Sequence, residues 1–116
     1  MKFFLFIKSA PAYVEYHSYI ISTLRALVKK NHHISAVFFS DAGASLASKK
    51  YALASVQKQI QDMYLALKKD FGAELLCCGQ AFRALGLEPD DVHEEFTLSG
   101  NLELTQYFCE CEVLQF

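Results

Sequence analysis

The segment from Ala73 to Gly86, AELLCCGQAFRALG, changes from a strand-like to a helix-like pattern partway along. It opens with the apolar run Leu75–Cys77, which is typical of a strand buried on both faces. From Ala81 onward the apolar residues follow helical spacing, and Gly86 can end a helix in the left-handed conformation. We therefore predict a strand followed by a short helix, with Cys78 at their junction.

The predicted junction gives the Cys78 thiol a setting that favours chemistry. The thiolate is the reactive form of cysteine, and the free N–H groups at the start of a helix stabilise negative charge. Ligands and catalytic groups also gather at the carboxyl ends of strands in open α/β sheets. Gly79 has no side chain to obstruct the approach to the sulfur. We predict that Cys78 is a nucleophile or a sulfur carrier.

Other interpretations of the two adjacent cysteines remain open at this point. Cys77 is the last apolar residue of the predicted strand, so we predict that it packs in the core. Free cysteine is among the most buried residue types, and Cys78 can have the same packing role. A Cys77–Cys78 disulfide is disfavoured, because adjacent residues strain the geometry of the bridge.

The composition predicts one folded domain spanning residues 1–116. The chain is 53% hydrophobic and 14% aromatic, and it is long enough to bury a core. A net charge of −2 offers no reason to expect direct binding to nucleic acid. No apolar run is long enough to cross a membrane, and Lys8 interrupts the apolar start of the chain, which we interpret as a strand. We expect a cytoplasmic protein.

The sequence predicts neither a metal site nor an organic cofactor. The four cysteines stand at 77, 78, 109 and 111 without the two-residue separation of zinc knuckles or thioredoxin-type motifs, so we expect reduced thiols. The loop after the first strand lacks the glycine patterns of dinucleotide sites and P-loops, and it lacks a flavin-phosphate turn. His17 and His93 are isolated in the sequence, and we assign them no role.

Strand-like and helix-like segments alternate along the whole chain. The alternation predicts an α/β fold whose sheet is mostly parallel and has helices on both faces. Residues 40–43 are predicted to form a turn, residues 44–50 are ambiguous, and residues 96–100 approach a turn. Beyond the segment already described, the predicted strands are 3–7, 34–39 and 111–116, and the predicted helices are 15–30, 53–70 and 101–108, with a short helix or loop at 87–95.

Five pieces of the chain together resemble the DsrE family, most closely its TusD-like sulfurtransferase subunits. The resemblance covers nearly the whole chain, and its more specific parts are the Pro-Ala-Tyr loop and the Phe-Thr-Leu-Ser-Gly segment. The pieces, in order, are Ala10–Tyr13, Ser35–Phe39, Cys78, Phe96–Gly100 and Val113–Phe116.

The resemblance implies a three-layer α/β/α sandwich with a mostly parallel five-stranded sheet. It also implies a sulfurtransferase in which Cys78 accepts sulfane sulfur as a persulfide, without a metal or organic cofactor. The implied donor is a TusA-like carrier and the implied acceptor a TusE-like protein, in the pathway that makes 2-thiouridine in tRNA. The implied assembly is a heterohexamer with TusB- and TusC-like subunits, and a homo-oligomer remains open.

Two alternatives stand beside this interpretation. The chain can be a DsrE-like paralogue that serves sulfur oxidation or sulfur trafficking. It can also be a non-catalytic assembly subunit whose Cys78 is buried and inert, with an exposed aromatic surface as its main functional feature. Accessibility of the Cys78 thiol separates the carrier from the assembly subunit.

Overall fold

Strands and helices alternate along the chain in the computed structural model, which describes residues 1–51 and 55–116. Leu53, assigned from the sequence to the second long helix, lies outside the described residues. The elements are β1 (Lys2–Ile7), α1 (Val14–Lys29), β2 (His33–Phe39), a 3-10 segment (Asp41–Ala47), α2 (Val56–Phe71), β3 (Glu74–Cys78), α3 (Gly79–Ala84), a 3-10 turn (Pro89–Asp91), β4 (Thr97–Ser99), α4 (Asn101–Glu110) and β5 (Glu112–Gln115).

The five strands form one sheet in the order β4-β3-β2-β1-β5, and every pairing between them is parallel. This architecture confirms the predicted α/β fold with a five-stranded sheet. One local prediction needs correction, because Thr97–Ser99 is a strand and not only an approach to a turn. Its three residues pair with the end of β3, a partner that local sequence does not reveal.

Local sequence accounts for where several helices begin and end. The Ser55 hydroxyl accepts the N–H of Lys58 at 3.1 Å and caps the start of α2. Asn31, Gly72 and Gly86 follow α1, α2 and α3 with φ of 67°, 72° and 82°, the left-handed conformation that ends helices. None of the described helices is long and apolar enough to cross a membrane.

One face of the sheet, here called the α1/α2 face, holds the larger core. Side chains alternate along a strand, so Leu5, Val37 and Leu75 all point to this face. They pack against Leu24 of α1 and Tyr64 of α2, and all five side chains are buried. The two long helices are held to the sheet by this contact.

The opposite face, here called the α4 face, has a smaller core. Phe4 and Phe38 lie on it and pack with Leu104 of α4. The Phe4 ring stacks on Tyr107 with a centroid distance of 5.0 Å and meets the edge of Phe108 at 5.7 Å. Helices therefore cover both faces, and the predicted three layers are present.

The 3-10 segment folds over the carboxyl end of the sheet on the α1/α2 face. Gln61 of α2 is buried and donates from Nε2 to the carbonyls of Leu46 at 2.8 Å and Ser48 at 2.6 Å. Gly43 lies so close to β1 that an added Cβ would be 2.8 Å from the carbonyl oxygen of Ile7. Long-range contacts therefore form a helical segment where the sequence predicted a turn at 40–43 and left 44–50 ambiguous.

Candidate functional site

Cys77 and Cys78 point to opposite faces of β3, because side chains alternate along a strand. Cys77 belongs to the core of the α1/α2 face and has no exposed surface. Its S–H donates to the carbonyl of Ala44 at 3.5 Å. Cys78 borders the smaller cluster of the α4 face and is half-buried. Both thiols are free, and their divergence excludes the vicinal disulfide in this conformation.

The environment of Cys77 keeps its sulfur protonated. Burial, with a smaller contribution from the neighbouring Cys78, raises the pKa of Cys77 to about 12. A thiol with so high a pKa is a poor nucleophile near neutral pH. The prediction that Cys77 packs in the core is therefore confirmed.

Cys78 lies at the junction between β3 and α3, as the sequence predicted. It is the last residue of the strand and occupies the cap position before Gly79, the first residue of the helix. The backbone N–H of Ala81 donates to Cys78 Sγ at 3.4 Å. The sulfur therefore has a backbone hydrogen-bond donor directed at it from the first turn of α3.

An open pocket of about 510 Å³ surrounds this junction. Ser99, which pairs with Cys78 in the sheet, also lines this pocket. Cys78 thus lines a surface depression and is only partly buried, so the interpretation of Cys78 as a sealed core thiol is not supported. The described lining residues are Cys78, Gly79, Gln80, Arg83, Leu98, Ser99 and Gly100, with Arg83 the one charged side chain among them.

Arg83 is a pocket residue that sequence reasoning missed. The helical spacing of apolar residues in its segment predicts a helix and gives Arg83 no role. The usable signal is that Arg83 follows Gly79 by four residues, which places both on one side of a helix. A long cationic side chain at that spacing can reach back to the start of the helix, where Cys78 lies.

The isolated histidines lie away from the Cys78 pocket. His17 is fully buried, and its Nε2–H donates to the carbonyl of Ala10 at 3.0 Å. The other ring nitrogen, Nδ1, therefore accepts the Tyr64 hydroxyl at 2.8 Å, and burial lowers the pKa of His17. His93 Nδ1 accepts the N–H of Glu95 at 3.0 Å. These contacts give both histidines a structural role.

A second groove and the arrangement of metal-binding side chains also bear on where a site can lie. A larger groove of about 650 Å³ lies beside the start of α1, lined by residues 12–16 and Val56. Its lining holds two tyrosines and Glu15 but no thiol, whereas the smaller pocket is lined by Cys78. Within residues 1–51 and 55–116, no three His, Cys, Asp or Glu side chains come together in a way that could bind a metal ion.

The fold is a parallel α/β/α sandwich, and Cys78 lines a pocket at the carboxyl end of its third strand. These features define a small α/β protein with a free thiol at the end of a strand. The chain matches the DsrE/DsrF-like family over residues 1–116 and belongs to that family. It is 30% identical over 104 residues to "Sulfurtransferase TusD" of Proteus mirabilis (strain HI4320), an alignment covering 79% of this chain and 80% of that protein.

Two solved structures share the fold. The protein of unknown function MTH1491 from Methanobacterium thermoautotrophicum superposes with a TM-score of 0.69 at 17% identity, covering 99% of this chain and 97% of that one. The ychN protein of E. coli superposes with a TM-score of 0.68 at 18% identity, covering all of both chains. These likenesses support the fold, and the resemblance to the DsrE family stated from the sequence is confirmed. At the level of the family, the relationship to a sulfurtransferase supports sulfur transfer.

Proposed function

We propose that the protein is a sulfur-carrier subunit whose Cys78 accepts sulfane sulfur as a persulfide and passes it to a partner protein. One observation carries the proposal. Cys78 lines an open pocket at the carboxyl end of β3, and the Ala81 N–H is directed at its sulfur. The 30% identity to a sulfurtransferase supports the same role.

Loading of Cys78 is a thiol exchange reaction. The Cys78 thiolate attacks the outer sulfur of a donor persulfide, R–S–SH, and forms a new sulfur–sulfur bond. The donor's sulfur–sulfur bond breaks, and R–S⁻ leaves with its electron pair. The products are the Cys78 persulfide and the donor thiolate, so one persulfide replaces another without net oxidation. The Ala81 N–H is directed at the sulfur that makes the attack.

Unloading repeats the exchange in the opposite sense. A thiolate of the acceptor attacks the terminal sulfur of the Cys78 persulfide, and the Cys78 thiolate is the leaving group. A leaving group departs faster when its anion is stabilised, so the contact from Ala81 serves this step as well. Cys77 takes no part, because its buried thiol has a pKa of about 12.

The proposal extends to the pathway through the relationship to TusD. The donor is a TusA-like carrier, the acceptor is a TusE-like protein, and TusB- and TusC-like subunits complete the assembly. The sulfur then serves 2-thiouridine formation in tRNA, in the cytoplasm. A net charge of −2 agrees with transfer between proteins and gives no reason for direct contact with the RNA.

Sulfur loading of a cysteine variant tests the carrier role. The protein is incubated with the persulfide of 2-mercaptoethanol, and mass spectrometry measures sulfur added to the peptide that contains both adjacent cysteines. We expect one added sulfur in the parent and in Cys77→Ser, and none on this peptide in Cys78→Ser. Equal loading of Cys78→Ser and the parent would show that the assignment is wrong.

The destination of the sulfur needs a separate measurement. The chain is expressed in a bacterium that lacks its own TusD, and 2-thiouridine in its tRNA is quantified. Recovery of the modified nucleoside with the parent, and not with Cys78→Ser, supports tRNA thiolation. Loading of Cys78 without any recovery would contradict that destination and favour a DsrE-like sulfur-trafficking role.

A further inference from the structure

Arg83 lines the same pocket as Cys78 although it stands near the other end of α3. Its Nη2 is 3.9 Å from the point where a Cβ on Gly79 would be, and the carbonyl oxygen of Ser99 is at the same distance from that point. Gly79 is the residue next to Cys78. One nitrogen of the guanidinium therefore lies close to Gly79, at the start of α3, and Arg83 and Cys78 line one pocket.

The charge of Arg83 is not compensated within the described residues. The ion pairs in residues 1–51 and 55–116 involve Arg25, Lys50, Lys58 and Lys68, and Arg83 forms neither an ion pair nor a side-chain hydrogen bond there. The Glu103 carboxylate is near the rim of the pocket, but it accepts the N–H of Gly100 at 3.1 Å. Within the described residues Arg83 is thus a cation with its donors free, in the pocket that Cys78 also lines.

Arg25, the other arginine of the chain, shows the contrasting arrangement. Both of its terminal nitrogens donate to Asp70 at 3.2 Å, and its guanidinium lies 5.3 Å from the ring centre of Phe71. Arg25 is thus held in a structural contact. Because the two residues differ in pairing and not in chemistry, Arg25 is a matched control for Arg83.

An anionic sulfur donor needs a cation at this place. A persulfide ionises more readily than a thiol, and thiosulfate carries negative charge throughout the neutral range. When either approaches the Cys78 thiolate, two like charges must come together, and their repulsion opposes the attack. A guanidinium beside both groups reduces that repulsion, since its fixed donors bind oxyanions and other anions well.

We propose that Arg83 is the residue that recognises the anionic sulfane-sulfur group of the donor and positions it for attack by Cys78. The inference rests on the proposed function of Cys78 and names the class of donor as an anion that carries sulfane sulfur. The source of this anion is either a thiol-bound persulfide or a free inorganic ion such as thiosulfate.

The transfer from an anionic donor balances without any further reactant. With thiosulfate, the Cys78 thiolate attacks the sulfane sulfur, the sulfur–sulfur bond breaks, and sulfite leaves with the bonding electron pair. Cys78 is left as a persulfide anion, and the total charge is unchanged. With an ionised persulfide, the same steps release the donor thiolate. In both reactions the negative charge on sulfur stays in the pocket that Arg83 and Cys78 line.

Initial rates of sulfur loading test the role of Arg83. The parent, Arg83→Gln, Arg83→Lys and Arg25→Gln are each loaded with thiosulfate or with the persulfide of 2-mercaptoethanol, whose charge is on its sulfur alone. We expect Arg83→Gln to slow loading about tenfold, with partial recovery in Arg83→Lys and no change in Arg25→Gln. Slowing confined to thiosulfate identifies a free inorganic anion as the source, and slowing with the persulfide identifies a thiol-bound donor.

A second measurement separates failure of this inference from failure of the carrier role. Iodoacetate and iodoacetamide alkylate the same Cys78 thiolate and differ in charge. Because Cys109 is also free and exposed, the two rates are followed on the peptide that contains Cys78, and their ratio then reports anion recognition without any sulfur transfer. We expect this ratio to fall about fivefold in Arg83→Gln and to stay unchanged in Arg25→Gln. Because the Arg83 side chain is exposed, its replacement should leave the melting temperature unchanged.

The outcomes fall into two distinct groups. If the parent loads sulfur, but Arg83→Gln loads at the same rate with an unchanged alkylation ratio, the role of Arg83 is overturned and the carrier role stands. If no donor loads the parent while the alkylation ratio depends on Arg83, the carrier role fails and anion recognition by Arg83 stands.

Discussion

The two faces of the sheet differ in how thoroughly helices cover them. Two helices of 16 residues each close the α1/α2 face, whereas one helix of 10 residues covers the α4 face. Cys77 points to the thicker layer and has no exposed surface, while Cys78 points to the thinner layer and lines a pocket. The two adjacent cysteines thus differ in solvent exposure, because the two faces of the sheet are covered to different extents. A cysteine at the end of a strand on the less covered face is partly exposed without disturbing the main core.

The two faces also differ in the contacts that hold their helices in place. His17 and Gln61 are both buried beneath the α1/α2 face, and hydrogen bonds satisfy both side chains. These bonds tie loops at the carboxyl end of the sheet to the long helices. On the α4 face, aromatic stacking around Phe4 holds the single helix in place. The first face therefore fixes the scaffold, and the second carries Cys78, the candidate site residue.

The largest expected contrast is in the alkylation rates of the two adjacent cysteines. A pKa of about 12 leaves about one Cys77 thiol in ten thousand ionised at pH 8, and burial blocks the reagent as well. We expect iodoacetamide to modify Cys78 in the native protein at least about a thousand times faster than Cys77. The measurement uses the single variants Cys77→Ser and Cys78→Ser, with urea-denatured samples as controls. Similar native rates would remove the distinction between the faces.

Removing the centre of the aromatic cluster should come next in size. Phe4 is fully buried, and Phe4→Ala is expected to cost about 3–5 kcal/mol in the free energy of unfolding and to loosen α4. Phe108 touches the same ring but is 49% exposed, so Phe108→Ala should cost about 1 kcal/mol. Urea denaturation measures both values. A small loss in Phe4→Ala would mean that the α4 face is not held by this cluster.

Two glycine substitutions compare the crowding of the faces. Gly43→Ala should cost about 1–3 kcal/mol, because the new methyl group meets the backbone of Ile7 and must push it aside. At Gly79, which lines the Cys78 pocket, the atoms nearest to an added Cβ are 3.9 Å away. Gly79→Ala should therefore change stability by less than about 0.5 kcal/mol. Thermal unfolding monitored by circular dichroism provides both numbers. Equal losses would show that the pocket is as tightly packed as the core.

The smallest effect concerns the pH dependence of stability. Burial lowers the pKa of His17 in the folded state below its ordinary value of 6.5. The stability from neutral His17 is therefore fully present above pH 6.5 and is lost as the pH falls through the lower, folded-state pKa. We expect the free energy of unfolding to decrease on acidification in this window, and NMR to show His17 titrating below 6.5. Titration above 6.5 would contradict the assigned burial.

The main elements of the fold were predictable because their patterns are local. The strands at 3–7, 34–39 and 75–77 are apolar runs, and the helices show periodic apolar positions, so each could be recognised in isolation. Alternation along β3 also explains why Cys77 and Cys78 diverge. The 3-10 segment at 41–47 was not predictable, because it depends on bonds from Gln61, far along the chain. The strand Thr97–Ser99 likewise depends on the strand beside it.

The candidate site was predictable only in part for the same reason. The position of Cys78 between a strand and a helix follows from its own segment. The pocket does not, because Ser99 and Gly100 arrive from the next strand and the chain turn after it. Arg83 has a usable spacing from Gly79, but its lack of an ionic partner among the described residues is a property of the folded surface. Assignment of the carrier role to Cys78 stays a prediction for the loading experiment.

The strand order has a consequence for synthesis on the ribosome. β1 pairs with β2 on one side and with β5 on the other, and β5 follows β1 by about 100 residues. A growing chain that has already formed the first four strands therefore presents one open edge of β1, with Phe4 still without the cover of α4. Open apolar edges invite pairing with other chains. Until α4 and β5 have been synthesised and have folded, this edge therefore stays open, and a chaperone that shields it would prevent pairing with other chains.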